Sequence, residues 1–324
     1  MKIDVKNINL WSKMGSRATF GMCLLEIQKE FENLQIVTSD VSTSAGLDRF
    51  KKNYPEKYTD VGISEQNLIG VATGLSEVGF NVLTTTFSPF QILRCCEQIK
   101  NNLGYMRSKI TMVGLASGLV LGTLGFTHAS IEDVGVIRSI PNINIISPAD
   151  SLETVKSVYA SLKQNQSTYI RLTGGQPSPK VYNEDYNFQI GKAIKLREGE
   201  EVAILACGAR VKDAMEASDQ IYKDIKRKIS VYNFHSIKPI DEKEILLISK
   251  KYKYIITVEE HNIIGGLGSA VAETLCSSPN TNSKLIRLGI KDSYPPGGEY
   301  NYLINLLNLD VKSLYKLSVE LLEN

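Results

Sequence analysis

The chain has 324 residues, 43% hydrophobic and 22% charged, with 37 Lys and Arg against 35 Asp and Glu and a formal net charge of +2. This length corresponds to roughly two domains at about 150 residues each, and the near-neutral balance leaves no electrostatic footprint for nucleic acid or an anionic membrane surface. Five cysteines, Cys23, Cys95, Cys96, Cys207 and Cys276, form an odd set without zinc-ligand or redox spacing, so they read as reduced core residues of a cytoplasmic protein. The start, Met1-Lys2-Ile3-Asp4, lacks the apolar core of a signal peptide.

Ser16 can cap a helix through about Phe31, ahead of a β-branched run at Gln35–Thr38. Ser64 can cap a second helix through Glu77, which places Glu65 in its first turn, where the macrodipole favours a carboxylate. On the residue alone Glu65 is a solvent-facing helix-start charge; its neighbours point to chemistry. Strand-like runs follow at Asn81–Thr86, Lys109–Val113, Asn144–Ser147 and Thr168–Leu172, with a helix opened by Pro148-Ala149-Asp150 and running to about Lys163. The uncharged run from Ile110 to Thr127 repeats glycine at 114, 118 and 122, the spacing of membrane helix pairs. With Thr, Ser and four Gly among its residues, it reads better as a buried strand followed by a glycine-rich loop.

Between Thr173 and Gly191 the pattern lapses into Gly-Gly-Gln-Pro-Ser-Pro-Lys and a polar stretch bearing tyrosines, which is linker chemistry. Beyond it the alternation restarts, with strands at Val202–Ala206, Ile229–Tyr232, Tyr254–Val258 and Leu285–Leu288 and helices near Val211–Lys223, Glu242–Lys251 and Gly268–Leu275. The tail from Tyr300 to Leu322 reads as one or two amphipathic helices. The fold class is therefore α/β, in two consecutive domains each with a mostly parallel sheet covered by helices: residues 1–175, a linker at 176–190, and residues 191–324.

The segment Asp60-Val61-Gly62-Ile63-Ser64-Glu65-Gln66-Asn67, with its apolar continuation to Leu75, resembles the signature of thiamine-diphosphate enzymes of the transketolase type. The resemblance extends from about Ser16 to about Leu288. It includes Thr86-Phe87-Ser88-Pro89-Phe90, the loop Gly125-Phe126-Thr127-His128 with its continuation Arg138-Ser139-Ile140-Pro141-Asn142, His235-Ser236-Ile237-Lys238-Pro239-Ile240-Asp241, and Glu259 to Ser269. It implies that Glu65 bonds the cofactor's aminopyrimidine nitrogen and makes the cofactor its own base. It also implies that Ile63, Phe87 and Phe90 line the cofactor ring, that His128 binds substrate oxygen or phosphate, and that Arg17, Ser44, His128 and Arg171 hold the sugar's phosphate. His261 would stand near the site rim. The glycines after Glu259 could instead suggest a dinucleotide turn, but Val271 stands where that fingerprint needs its third glycine.

The match is to the C-terminal section of a transketolase, and nowhere does the chain carry a Gly-Asp-Gly followed by Asn, the element that holds magnesium and diphosphate in that family. The resemblance thus implies a split enzyme. Mg2+ (or Ca2+) and the diphosphate would be held by an N-terminal partner subunit in an α2β2 heterotetramer, acting on sugar phosphates with neither nucleic acid nor membrane as partner. Two departures bear on the substrate: Leu124 stands where the family has an aspartate that reads a hydroxyl, and Ala116 where transketolases carry a histidine. They suggest an altered sugar. A deoxyxylulose-phosphate synthase or 2-oxoacid dehydrogenase β subunit shares the scaffold, and a non-catalytic scaffold subunit is the reading from another class.

Overall fold

The computed structural model describes residues 3–173, 177–178, 180–279 and 281–323; Gly174, Gly175, Gln176 and Pro179 of the expected linker region lie outside the described residues, as do Met1 and Lys2. Among these, the strands are β1 (Leu34–Thr38), β2 (Tyr58–Asp60), β3 (Asn81–Phe87), β4 (Ile110–Leu115), β5 (Ile143–Ile146), β6 (Ser167–Arg171), β7 (Ile194–Arg197), β8 (Val202–Ala206), β9 (Ser230–Asn233), β10 (Ser236–Lys238), β11 (Tyr254–Asn262) and β12 (Lys284–Ile290). They form a seven-stranded sheet in the order β10-β5-β6-β4-β3-β1-β2 and a five-stranded sheet in the order β12-β11-β8-β9-β7. Only β10 on β5 and β7 on β9 pair antiparallel. The α/β class with two mostly parallel sheets is as the sequence predicts.

Strands buried on both faces, such as β4 and β8, are those whose sequences run continuously apolar or β-branched, because helices cover each side. The uncharged run from Ile110 is accordingly a strand followed by a loop with one 3-10 turn at Gly122–Leu124. No helix among the described residues is long and apolar enough to cross a membrane. Asp150 accepts the Glu153 N–H at 2.9 Å and so caps the helix Ser151–Lys163. Ser64 does not cap its helix, Glu65–Glu77; its hydroxyl donates backwards to the Val61 carbonyl. The tail forms two helices, Tyr300–Leu306 and Val311–Glu323.

The two sheets are joined by contacts that the linear pattern does not reveal. β10 belongs to the second half of the sequence yet extends the first sheet, with Ser236 opposite Ile146. At the centre of the junction Arg171 is buried: its Nε donates to Asp133 Oδ2 at 2.7 Å, and its Nη2 donates to the carbonyls of Ser130 (3.0 Å) and Glu260 (2.9 Å). The Tyr169 hydroxyl donates to the same Asp133 oxygen at 2.7 Å. Burial alone would raise the Asp133 carboxyl, but the Arg171 guanidinium, the nearby His261 ring and these hydrogen bonds hold it below the usual carboxylate range. Glu260 reaches from β11 to accept the Leu119 N–H at 2.8 Å and the Tyr300 hydroxyl at 2.7 Å. A Cβ at Gly118, whose φ is +71°, would overlap that carboxylate.

His261 lies in this junction and not at an open rim. Its Nδ1 is 2.7 Å from the Asn262 carbonyl oxygen and its Nε2 is 3.3 Å from the Gly135 nitrogen, an arrangement that a neutral ring protonated at Nδ1 satisfies. Burial pushes its pKa down to about 4 from an ordinary 6.5, against the pull of Asp133. The folded state thus refuses a proton that the unfolded state accepts, so the stability His261 contributes is present above pH 6.5 and is lost as pH falls toward 4. The variant His261→Gln should lose less thermal stability than the wild type over that interval, read as Tm by scanning calorimetry; parallel curves would assign the acid response to other groups. Arg171→Met strips Asp133 of its counterion and should cost about 3 to 5 kcal/mol in urea denaturation with no ligand present. A loss under about 1 kcal/mol, the range of an exposed pair, would show that the junction does not depend on it.

Candidate active site

In an open parallel sheet, ligands bind beyond the carboxyl ends of the strands where the chain's direction across the sheet reverses. Here β1 leads outward to edge strand β2, whereas its other neighbour β3 leads the opposite way to β4, so the crevice opens between β1 and β3. The loop after β1 carries exposed Ser44, and it is packed on the helix Ser16–Ile27, which begins with half-buried Arg17. A Cβ at Gly21 would overlap the Gly46 carbonyl, and one at Gly46, whose φ is +70°, would stand 3.4 Å from the Arg17 carbonyl oxygen. Glycine at both positions lets the loop that carries Ser44 approach the helix that carries Arg17.

Glu65 arrives from the other side of β1. Asp60 Oδ1 accepts the N–H groups of Asp40 and Gly62, each at 3.0 Å, the Ser39 hydroxyl donates to the Gly62 carbonyl at 2.5 Å, and Ser39 Oγ accepts the Ser64 N–H at 3.1 Å. These bonds pin residues 60–64 to the end of β1, with Gly62 in the left-handed region at φ +72°. Ile63 is left 77% exposed while the next helical residue, Glu65, is turned inward to 3% exposure. Its carboxylate is not alone: Arg94 Nη1 stands 2.6 Å from Glu65 Oε2.

Phe87 ends β3 and Phe90 lies on the short helix that follows, their rings edge to face at 6.3 Å. Phe90 is in turn edge to face with His128 at 5.2 Å, and the Arg94 guanidinium lies 4.5 Å above the Phe90 ring. Glu65, Arg94, Phe90, Phe87 and His128 therefore form one continuous cluster. His128 Nδ1 is 2.9 Å from the Thr127 hydroxyl. The structure does not bring Arg171 to this cluster: its guanidinium is committed to Asp133 and two carbonyls in the junction, where a sugar phosphate has no access. Its influence is indirect, because the Tyr169 hydroxyl that shares Asp133 lies 3.0 Å from Ser88 Oγ, on the helix that carries Phe90.

Leu124 is 57% exposed on its 3-10 turn, and Ala116 is buried with a left-handed backbone, φ +52°. The loop that bears Leu124 and His128 is braced from the second domain. Phe126 packs against Tyr294 at 5.3 Å, and the Gly298 N–H donates to the Gly122 carbonyl at 3.0 Å. Sequence reasoning misses both this brace and Arg94. The brace has no local signal; Arg94 lies 29 residues from Glu65, and the only hint is a cation four positions beyond Phe90 on a helical tract.

A buried carboxylate beside two phenyl rings offers an acceptor and a stacking face to a flat nitrogen heterocycle. No group of three or more His, Cys, Asp or Glu side chains placed to hold a metal ion occurs among the described residues. The donor set fits the ring end of thiamine diphosphate, and Glu65 with Phe87 and Phe90 would be the residues to hold it.

Residues 12–176 match the transketolase pyrimidine-binding domain and residues 191–314 the transketolase C-terminal domain. A protein of Methanocaldococcus jannaschii named for the transketolase C-terminal section is 34% identical over 307 residues, covering 94% of this chain and 96% of the relative. The 6-deoxy-6-sulfo-D-fructose transketolase subunit of a Clostridium species is 33% identical over 307 residues, 95% of this chain and 94% of its own. A solved structure described as a split gene transketolase in an inactive beta4 tetramer superposes with a TM-score of 0.84 at 30% identity, over 95% of this chain and 98% of that one. With the pinned Glu65 helix and the phenyl pair already at the crevice, these matches show that the chain belongs to the transketolase family, of which it comprises the pyrimidine-binding and C-terminal domains.

Proposed function

We propose that this chain is the pyrimidine-binding subunit of a split transketolase, working in the cytoplasm as half of an α2β2 heterotetramer. The enzyme would move a two-carbon ketol unit from a ketose phosphate to an aldehyde sugar. Its domains are residues 1–175 and 191–324, joined by the linker 176–190. The single observation that carries this reading is Glu65: a carboxylate at a helix start that is 3% exposed, beside Phe87 and Phe90, with its own loop turned outward. Apart from its pairing with Arg94, nothing in the packing of that helix requires a charge there, since its buried face is otherwise Leu68, Ile69, Ala72 and Thr73. Exposed Ile63, Leu93 and Leu124 near this cluster suit coverage by a partner chain that brings the Mg2+ (or Ca2+) and diphosphate half of the site.

Thiamine diphosphate, when bound, supplies a nucleophilic carbanion that stabilises the transferred ketol carbon. The chain's own residues do the rest. Glu65 accepts the aminopyrimidine's hydrogen bond and exchanges a proton at that ring nitrogen. Phe87 and Phe90 fix the ring's plane, contributing about 0.5 to 1.5 kcal/mol beyond burial, which orients without catalysing. His128, held against Thr127 and Phe90, presents a ring nitrogen to substrate oxygen or phosphate. Arg17 and Ser44 bind the terminal phosphate from the packed helix and loop, the guanidinium fork matching its oxygens. Arg171 is withdrawn from that role and orders the Phe90 helix through Tyr169 and Ser88.

Leu124 in place of an acceptor carboxylate selects an aldehyde lacking, or masking, the neighbouring hydroxyl, because a hydroxyl facing leucine loses its hydrogen-bond partner. With the diphosphate-binding partner, thiamine diphosphate and magnesium present, Glu65→Gln should lower kcat by about 100-fold or more while the complex stays assembled. Unchanged turnover would leave the scaffold reading in its place. Leu124→Asp should shift the ratio of kcat/KM by about tenfold or more toward acceptors that carry the hydroxyl; an unmoved ratio would place specificity elsewhere.

A further inference from the structure

The two surfaces that the proposed function gives to the aminopyrimidine, the Glu65 carboxylate and the Phe90 ring, are both met by one side chain. Arg94 bonds Glu65 Oε2 at 2.6 Å and lies 4.5 Å over Phe90. We propose that Arg94 is a placeholder for the cofactor's ring, its guanidinium holding Glu65 and Phe90 until the ring arrives and then giving both up. The inference rests on the transketolase reading and deepens it by naming what the site holds before loading.

A carboxylate as buried as Glu65, its side chain 4% exposed, is costly without a partner, so the cofactor-free chain needs a cation there. Of the two partners only Arg94 can move. Glu65 begins a helix whose next turns are anchored by buried Leu68, Ile69 and Ala72, and the bonds from Asp60 and Ser39 fix the residues before it. The Arg94 side chain is 45% exposed, so water can rehydrate its guanidinium as it leaves. Its backbone stays in place, the carbonyl accepting from Gln66 Nε2 at 3.3 Å and the adjoining Cys95 buried, which confines the movement to the side chain. The guanidinium is planar and stacks on an aromatic face as a flat heterocycle does, so it occupies the same kind of space.

A ligand that must displace such a contact binds with an affinity reduced by the fraction of molecules in which the contact is open. Removing the contact restores that fraction. In the assembled complex with magnesium, titrating thiamine diphosphate by calorimetry should give a Kd about three- to tenfold lower for Arg94→Gln than for wild type, in keeping with the modest strength of a half-exposed pair. Arg94→Lys, which keeps the charge but lacks the flat fork, should fall between them. In a Glu65→Gln background, adding Arg94→Gln should change the Kd by less than about twofold, since the ion pair is already gone. An Arg94→Gln affinity equal to or weaker than wild type would overturn the proposal, the weaker value meaning that Arg94 belongs to the loaded site. Loss of turnover in Glu65→Gln alongside an indifferent Arg94→Gln affinity would sink this inference alone. Glu65→Gln without effect on either binding or turnover would sink the underlying transketolase reading instead.

Discussion

The burial of Arg171 is the constraint around which the rest of the molecule is arranged. A guanidinium with no access to water must find an acceptor for its charge and for its donors, and it finds them in Asp133 and in carbonyls contributed by both halves of the chain. Asp133, Ser130 and Glu260 have to be where they are, which fixes the loop after β4, the helix from Asp133 and strand β11 relative to one another. Glu260 then returns the contact by accepting from Leu119 and Tyr300, so the junction is tied in both directions. A junction built from charges in a dry interior tolerates little displacement, because each shifted bond leaves a buried group unsatisfied.

From that junction the order passes to the crevice. Tyr169 joins Asp133 to Ser88, and Ser88 sits at the head of the helix that carries Phe90. The second domain also steadies the loop of Leu124 and His128 through Tyr294 and Gly298. Glu65 is fixed by a different set of bonds, from Asp60 and Ser39 at the end of β1. The cluster at the crevice is thus assembled from two independently anchored pieces, with Arg94 bonded to Glu65 of one and lying over Phe90 of the other.

Much of the fold was legible because the strongest local signals were also the most buried. β3, β4 and β8 are dominated by apolar and β-branched residues, and they form where the pattern places them. The missed strands are those with little pattern to read. β2 and β10 have three residues each, and β7 is a half-exposed edge whose Ile-Lys-Leu-Arg is too short for its alternation to stand out. β10 adds a further difficulty, since it is a strand only by pairing with β5 in the other half of the chain.

The sequence by itself determined that this is an α/β chain in two parts, that a carboxylate opens the helix after Gly62, and that two phenylalanines flank Pro89 where a strand gives way to a helix. Helix starts, strand ends and left-handed glycines are local matters, settled by sterics and hydrogen bonds among near neighbours. Only the tertiary structure decided which charges meet. It sent Arg171 and His261 into the junction and away from the crevice, turned Glu65 inward, and set Arg94 against it. Those outcomes depend on which distant groups share a dry volume, and desolvation and Coulomb energies act through space without regard to position along the chain.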